Sequence, residues 1–85
     1  MEPSEIVKKV KDYIEKNFVY DQETKLKNDE SLLDTGLVDS TGILEVVSFI
    51  EETYDISIQD EEMIPDNLDS IDKIASFIMR KKNKS

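Results

Sequence analysis

Hydrophobic residues recur at intervals of three and four positions in three separate segments of the chain. In the first segment these positions are Ile6, Val7, Val10, Tyr13 and Ile14. This spacing puts apolar side chains on one face of a helix, which we predict to begin at residue 3 or 4 and end at residue 17 or 18. Pro3 fits the first turn, because the amide that proline lacks would be unpaired there.

The second and third segments predict two further helices. One runs from Ser40 to residue 53 or 54, and the other begins at residue 69 or 70 and continues to about Lys82. The apolar positions are Ile43, Val46, Val47, Ile50 and Tyr54 in the former and Ile71, Ile74, Ala75 and Ile78 in the latter. Between these helices, residues 60–64 are predicted to form one short helical turn ahead of Pro65.

A long connection, from Val19 to Asp39, separates the first two helices. Its apolar residues are Leu26, Leu32, Leu33, Leu37 and Val38, and we expect them to hold the connection against the core. The sequence therefore predicts an all-α fold with one domain over residues 1–85. This fold is a small four-helix bundle, with three main helices, one short helix and a long loop between helices one and two. The basic tail, about residues 80–85, is expected to fray.

Composition narrows the chemistry. The 85 residues include no cysteine and no histidine. Zinc sites built on thiolate or imidazole and Ser-His-Asp catalysis are thereby excluded, and we expect no enzyme and no metal site. The segment around Gly36 does not fit a calcium-binding EF-hand loop. If Gly36 were the glycine of such a loop, Leu33 and Gly42 would occupy ligand positions, and neither side chain can bind calcium.

Charge is concentrated in the middle of the chain. Residues 28–72 contain 14 acidic side chains and no lysine or arginine, within a chain of net charge −9. Such a block repels nucleic acid and anionic lipid and attracts basic protein surfaces. No apolar run is long enough to span a membrane, and the acidic N-terminus is unlike a signal peptide, so we expect a cytoplasmic protein. We also expect a monomer.

The junction Asp39-Ser40 is the candidate site, because it stands where the second helix begins. One of the two residues is expected to cap the helix while the other points outward. The amides of Thr41, Gly42 and Ile43 would then be unpaired, and a phosphate on Ser40 would lie beside them at the positive end of the helix. Gly42 would leave room beside Ser40. The alternative is an ordinary helix cap without further function.

One face of the second helix is a candidate docking surface. At 100° per residue, the positions opposite the apolar stripe are Thr41, Glu45, Ser48 and Glu52. Leu44 and Phe49 flank this line and Glu51 lies near one edge. An acidic line with apolar flanks suits a basic, partly apolar groove on a partner; the alternative is a solvated face that keeps the helix in solution.

These features recur together in a known family. The relevant positions are Gly36, Asp39, Ser40, Ile43, Glu45, Val46, Val47, Ile50, Glu51, Glu52, Tyr54, Ile58, Asp60, Glu61, Glu62, Leu68, Ile71, Phe77 and Ile78. In register, this series resembles the acyl carrier proteins over about residues 32–78, more than half of the chain. A helix and a loop before that range agree with the four-helix bundle of the family.

The resemblance implies a function for the site. Ser40 matches the serine that carries a 4′-phosphopantetheine arm, whose thiol holds acyl or aminoacyl groups as thioesters. Asp39 matches the aspartate that assists the phosphopantetheinyl transferase and its metal. Glu45, Glu51 and Glu52 match glutamates that dock on basic patches of loading ligases and acceptor enzymes. The pathway implied is fatty acid or secondary metabolite biosynthesis.

Two departures refine the resemblance. Gly36 and Asp39 are one residue further apart than in fatty-acid carriers, and Thr41-Gly42 replaces the usual leucine and acid. The form Leu-Val-Asp-Ser is closer to D-alanyl carriers and stand-alone carriers than to the housekeeping fatty-acid carrier. The alternative function from a different class is an acidic helical adaptor for protein–protein interaction that is never modified.

Overall fold

The computed structural model describes residues 2–18 and 27–84, without the side chains of Ser40 and Lys84. The helices are α1 (Pro3–Phe18), α2 (Ser40–Tyr54), α3 (Pro65–Leu68) and α4 (Ile71–Lys84), with a 3₁₀ turn at Asp60–Glu62. Within the described ranges the chain forms no strand. The predicted all-α bundle with three long helices is confirmed. Leu26 and the rest of residues 19–26 of the predicted connection lie outside the described residues.

The short helix α3 is the main difference from the predicted elements. The predicted turn at residues 60–64 is present as the 3₁₀ turn, but α3 follows it as a separate helix that the sequence analysis missed. Pro65 stands at the start of α3, where its fixed φ favours helix. The amides of Leu68 and Asp69 donate to the carbonyls of Ile64 and Pro65 at 3.1 and 3.0 Å, which closes the turn.

The predicted apolar stripes meet in one core. Its buried residues are Ile6, Val10 and Ile14 of α1, Val46, Val47, Ile50 and Tyr54 of α2, Ile71, Ile74, Ala75, Phe77 and Ile78 of α4, and Leu32, Val38, Ile58 and Leu68 from the connections and α3. Both α1 and α3 pack against α4. Met63 and Met79 are partly buried against this core, as their apolar side chains favour.

The expectation that every leucine of the connection packs inward is wrong for Leu33. Leu32 is fully buried, whereas its neighbour Leu33 is 38% exposed. The chain turns at this point, because the Thr35 amide donates to the Ser31 carbonyl and the Gly36 amide to the Leu33 carbonyl. Two consecutive side chains therefore take different directions, one into the core and one to the surface.

The C-terminal basic segment is helical as far as Lys84, whereas the sequence analysis expected residues 80–85 to fray. Arg80 donates from Nη2 to Oδ1 of Asn67 at 2.9 Å. Lys81 forms an ion pair with Glu62, with 2.9 Å between Nζ and Oε1. These bonds join the last turns of α4 to the segment before it, which offsets the loss of side-chain freedom there.

Tyr54 is the last residue of α2, and its hydroxyl is buried. The residue is 6% exposed, and its hydroxyl has no hydrogen-bond partner within the part of the chain that the structure describes. Burial raises the pKa of this phenol, because the charged form would be poorly solvated. The Tyr54 carbonyl, in contrast, accepts a hydrogen bond from Nζ of Lys82 at 3.0 Å.

Candidate functional site

Asp39 is the residue that caps α2. Its backbone is extended, and its Oδ1 accepts a hydrogen bond from the Gly42 amide at 2.7 Å. The Asp39 carbonyl accepts from the Ile43 amide at 2.9 Å. The expectation that the amides of Gly42 and Ile43 are unpaired is therefore wrong, since Asp39 engages both. Of the three predicted amides, only that of Thr41 has no partner among the described residues.

Ser40 occupies the first helical position, directly after the cap. The backbone thus places this residue at the positive end of the α2 dipole. The Ser40 side chain lies outside the described atoms, so its predicted outward direction stays a prediction.

Gly42 has a packing role that the sequence analysis did not foresee. A Cβ at this position would lie 2.9 Å from Cε1 of Phe18 and 3.3 Å from both Asp39 Oδ1 and Val38 Cγ1. The space that the glycine leaves is therefore used by the end of α1 and by the cap. This contact corrects the expectation that Gly42 leaves room beside Ser40.

The residues before the cap form a closed loop. The Leu32 carbonyl accepts hydrogen bonds from the Val38 amide at 3.3 Å and from Oγ1 of Thr35 at 3.0 Å. Gly36, between them, has φ +75°, a left-handed conformation that glycine adopts without strain. Because Leu32 and Val38 are both buried, the loop is fastened to the core one residue before Asp39.

The predicted docking line is exposed along its whole length. Its members are Thr41, Glu45, Ser48 and Glu52, and all four are exposed. Leu44 beside them is 56% exposed, whereas Phe49 is half-buried. The structure thus brings these residues together on one surface of α2, as the helical spacing predicted.

Phe49 owes its partial burial to α1. Its ring stacks on Tyr13 with 4.0 Å between centroids. The Tyr13 hydroxyl donates to the Glu45 carbonyl at 3.2 Å. Burial, and secondarily the negative charge of Glu45, raises the pKa of Tyr13. Contacts of Tyr13 with Phe49 and with the Glu45 backbone therefore hold this part of α2 against α1.

Glu51 differs from the other glutamates of α2. Its Oε2 accepts a hydrogen bond from the Ile58 amide at 2.9 Å, so the carboxylate holds the segment that follows α2. The side chain is partly buried, while that of Glu52 is exposed. Glu51 was predicted to contact partners; the contact observed is within the chain. The helical spacing placed Glu51 nearer the edge of the exposed line than Glu52, but it could not predict this bond, because the Ile58 amide approaches only in the folded chain.

An apolar groove lies beside the start of α2. Three large hydrophobic side chains are markedly exposed among the described residues: Leu33 (38%), Leu44 (56%) and Ile64 (43%). All three line one groove of about 340 Å³, together with Ile43, Met63, Pro65 and Leu68. Among these groove residues, the helical spacing predicted exposure only for Leu44. The other walls come from segments that are distant along the chain.

The described residues contain neither a candidate metal site nor a helix that could cross a membrane. No group of three or more acidic, cysteine or histidine side chains is placed to hold a metal ion within residues 2–18 and 27–84. Among the same residues, every helix is too short or too polar to cross a bilayer. In comparisons with known proteins, no protein-family model and no curated protein matches the chain.

Proposed function

We propose that this chain is an acyl carrier protein, in which Ser40 bears a 4′-phosphopantetheine arm that holds acyl or aminoacyl groups as thioesters. The observation that carries the proposal is the start of α2. Ser40 is its first residue, and the cap bond is supplied by Asp39. The side-chain cap of α2 is therefore supplied by the residue before the serine.

The helix end suits a phosphodiester on physical grounds. The Thr41 amide has no partner among the described residues, and this amide and the positive end of the α2 dipole both favour a negative group at this position. Residues 28–72 contain no lysine or arginine, so no basic side chain of this segment would hold the phosphate in a salt bridge. The helix start would thus stabilise the phosphodiester of the arm, while the pantetheine part beyond it would stay free to move.

The modification is a balanced transfer. The Ser40 hydroxyl oxygen would form a bond to the phosphorus of coenzyme A that bears the pantetheine arm. The bond from that phosphorus to the adenosine bisphosphate leaving group would break, and the hydroxyl proton would pass to a base of the transferase. The chain has no cysteine, so the arm would supply the thiol that holds the thioester.

The surfaces next to Ser40 fit the same proposal. The acidic docking line would attract transferases, loading ligases and acceptor enzymes through their basic patches. The apolar groove opens beside the first turn of α2, where Ile43 and Leu44 form one wall. It would shelter the apolar part of an acyl group or receive an apolar side chain of a partner enzyme.

Mass spectrometry tests the attachment directly. Incubation of the protein with coenzyme A, Mg²⁺ and a phosphopantetheinyl transferase of broad specificity is expected to add about 340 Da, the mass of one covalent arm. Ser40→Ala should gain no mass. Ser76→Ala is the matched control, because Ser76 is an exposed helical serine outside the docking line, and it should be modified like the parent.

Two outcomes contradict the proposal. One is the absence of added mass with several unrelated transferases, which would favour the unmodified acidic adaptor. The other is added mass that persists in Ser40→Ala, which would assign the attachment to another hydroxyl.

Docking is tested by reversing charge on the exposed line. Glu45→Lys combined with Glu52→Lys is expected to slow association with the transferase by about tenfold at low salt, because both side chains are exposed and contribute to steering. Glu5→Lys combined with Glu2→Lys, at exposed positions near the start of α1, makes the same change of charge as a control. Stopped-flow fluorescence over a range of salt concentrations measures both rates. Equal slowing in the two variants would show that net charge, and not this surface, controls association.

A further inference from the structure

Asp69, in the turn between α3 and α4, fastens the loop that precedes α2. Its Oδ2 accepts a hydrogen bond from Oγ of Ser31 at 2.7 Å, and its Oδ1 accepts from the Leu33 amide at 3.0 Å. The Asp69 carbonyl accepts from the Leu32 amide at 2.6 Å. One residue thus binds three consecutive residues that are more than thirty positions away in sequence.

The bonds continue from Asp69 towards Ser40. Leu32, held by the Asp69 carbonyl, accepts the Val38 amide through its own carbonyl at 3.3 Å. Val38 directly precedes the capping residue Asp39. A continuous path of hydrogen bonds and two peptide links therefore connects the Asp69 turn to the first residue of α2.

Asp69 also joins two walls of the apolar groove. Leu33, whose amide it holds, lies on one side, and Leu68, its neighbour in sequence, lies on another. The position of Leu33 over the groove is therefore tied to the position of α3. A carboxylate serves this purpose because it offers an acceptor oxygen to each of two donors at once.

From these contacts we propose that Asp69 is a positioning residue for Ser40, and the proposal rests on the function proposed above. Asp69 fixes the loop of residues 31–38, and that loop fixes the start of α2, so the geometry of the serine in the complex with the transferase depends on a carboxylate in another part of the fold. Small errors of position cost large factors in the rate of transfer reactions.

The test uses Asp69→Asn, which keeps the size of the side chain but removes one acceptor, and Ser31→Ala. The second variant removes one of the two carboxylate bonds and also the acceptor of the Asp34 amide. Asp66→Asn, an exposed aspartate in α3, makes the same change of charge as a control. Hydrogen exchange of single amides by NMR reports the loop at Leu33 and the cap at Gly42. We compare both with the Ile14 amide, which reports the opening of α1 in the core.

We expect Asp69→Asn to increase exchange at Leu33 and Gly42 by about tenfold relative to Ile14, from the loss of one hydrogen bond to a charged group. Transfer of the arm to Asp69→Asn should show kcat reduced by about tenfold with a smaller change in KM, because the docking line is intact. Ser31→Ala should change exchange and kcat in the same direction, because it also removes a bond to the Asp69 carboxylate. Asp66→Asn should match the parent in all measurements.

Unchanged exchange at Gly42 in Asp69→Asn would overturn the proposal, since the loop would then not control the start of α2. Unchanged kcat together with faster exchange would overturn it as well. A parent protein that gains no mass would refute the function proposed for Ser40 instead, and the exchange at Gly42 would still decide whether Asp69 positions the helix start.

Discussion

Replacing Leu32 with alanine is expected to lower the free energy of unfolding by about 3 kcal/mol, as for other fully buried leucines. Leu32 is completely buried, and its backbone ties the loop both to Asp69 and to Val38. A small domain has little stability to spare, so this loss is large. Leu33→Ala is the matched control, because the neighbouring side chain is 38% exposed; we expect a change below about 1 kcal/mol.

Urea denaturation followed by circular dichroism measures both variants. The slope with denaturant should stay that of the parent, so that the midpoints report stability. Similar losses in Leu32→Ala and Leu33→Ala would contradict the division between a core leucine and a surface leucine. Binding of a neutral apolar dye to the groove should respond in the opposite order, with Leu33→Ala having the larger effect.

Replacing Glu51 with alanine is expected to lower the free energy of unfolding by about 2 kcal/mol, the range for a hydrogen bond to a charged group. The change would leave the Ile58 amide without its acceptor, and Ile58 is buried next to it. Glu51→Gln should recover most of the loss, because its amide oxygen can accept the same bond. Glu52→Ala should change stability by less than about 0.5 kcal/mol, as expected for an exposed helix position.

Thermal unfolding distinguishes these three variants. The binding of partners separates them further, since Glu52→Ala should weaken association while it leaves the melting temperature nearly unchanged. If Glu51→Ala and Glu52→Ala were equally stable, the bond to Ile58 would have no energetic weight, and Glu51 would belong with the docking residues.

The long helices were predictable because their signal is local. The spacing of Ile6, Val10 and Ile14 is visible within α1 alone, and the apolar stripes of α2 and α4 are just as regular. The exposed line on α2 followed from the same periodicity, since a helix with one apolar face has an opposite polar one. The fold class and the exposed line of α2 could therefore be predicted before any tertiary contact was known.

The remaining features depend on contacts between distant segments. Leu32 and Leu33 have the same side chain, and only the turn of the loop decides which one is buried. Glu51 and Glu52 are neighbouring glutamates, and although their helical positions differ, only the fold shows that Glu51 accepts the Ile58 amide. The Asp69 bonds join segments more than thirty residues apart, and the groove assembles from three separate segments between Leu33 and Leu68. No local pattern carries this information.

The contact at Gly42 has a consequence for how the chain tolerates change. Because Phe18 lies against the bare α-carbon of this residue, the last turn of α1 and the first turn of α2 share a single volume. A larger residue at position 42 would require a smaller one at position 18. Related sequences should therefore vary these two positions together, so that a change at the end of the first helix would be matched by a change two residues after Ser40.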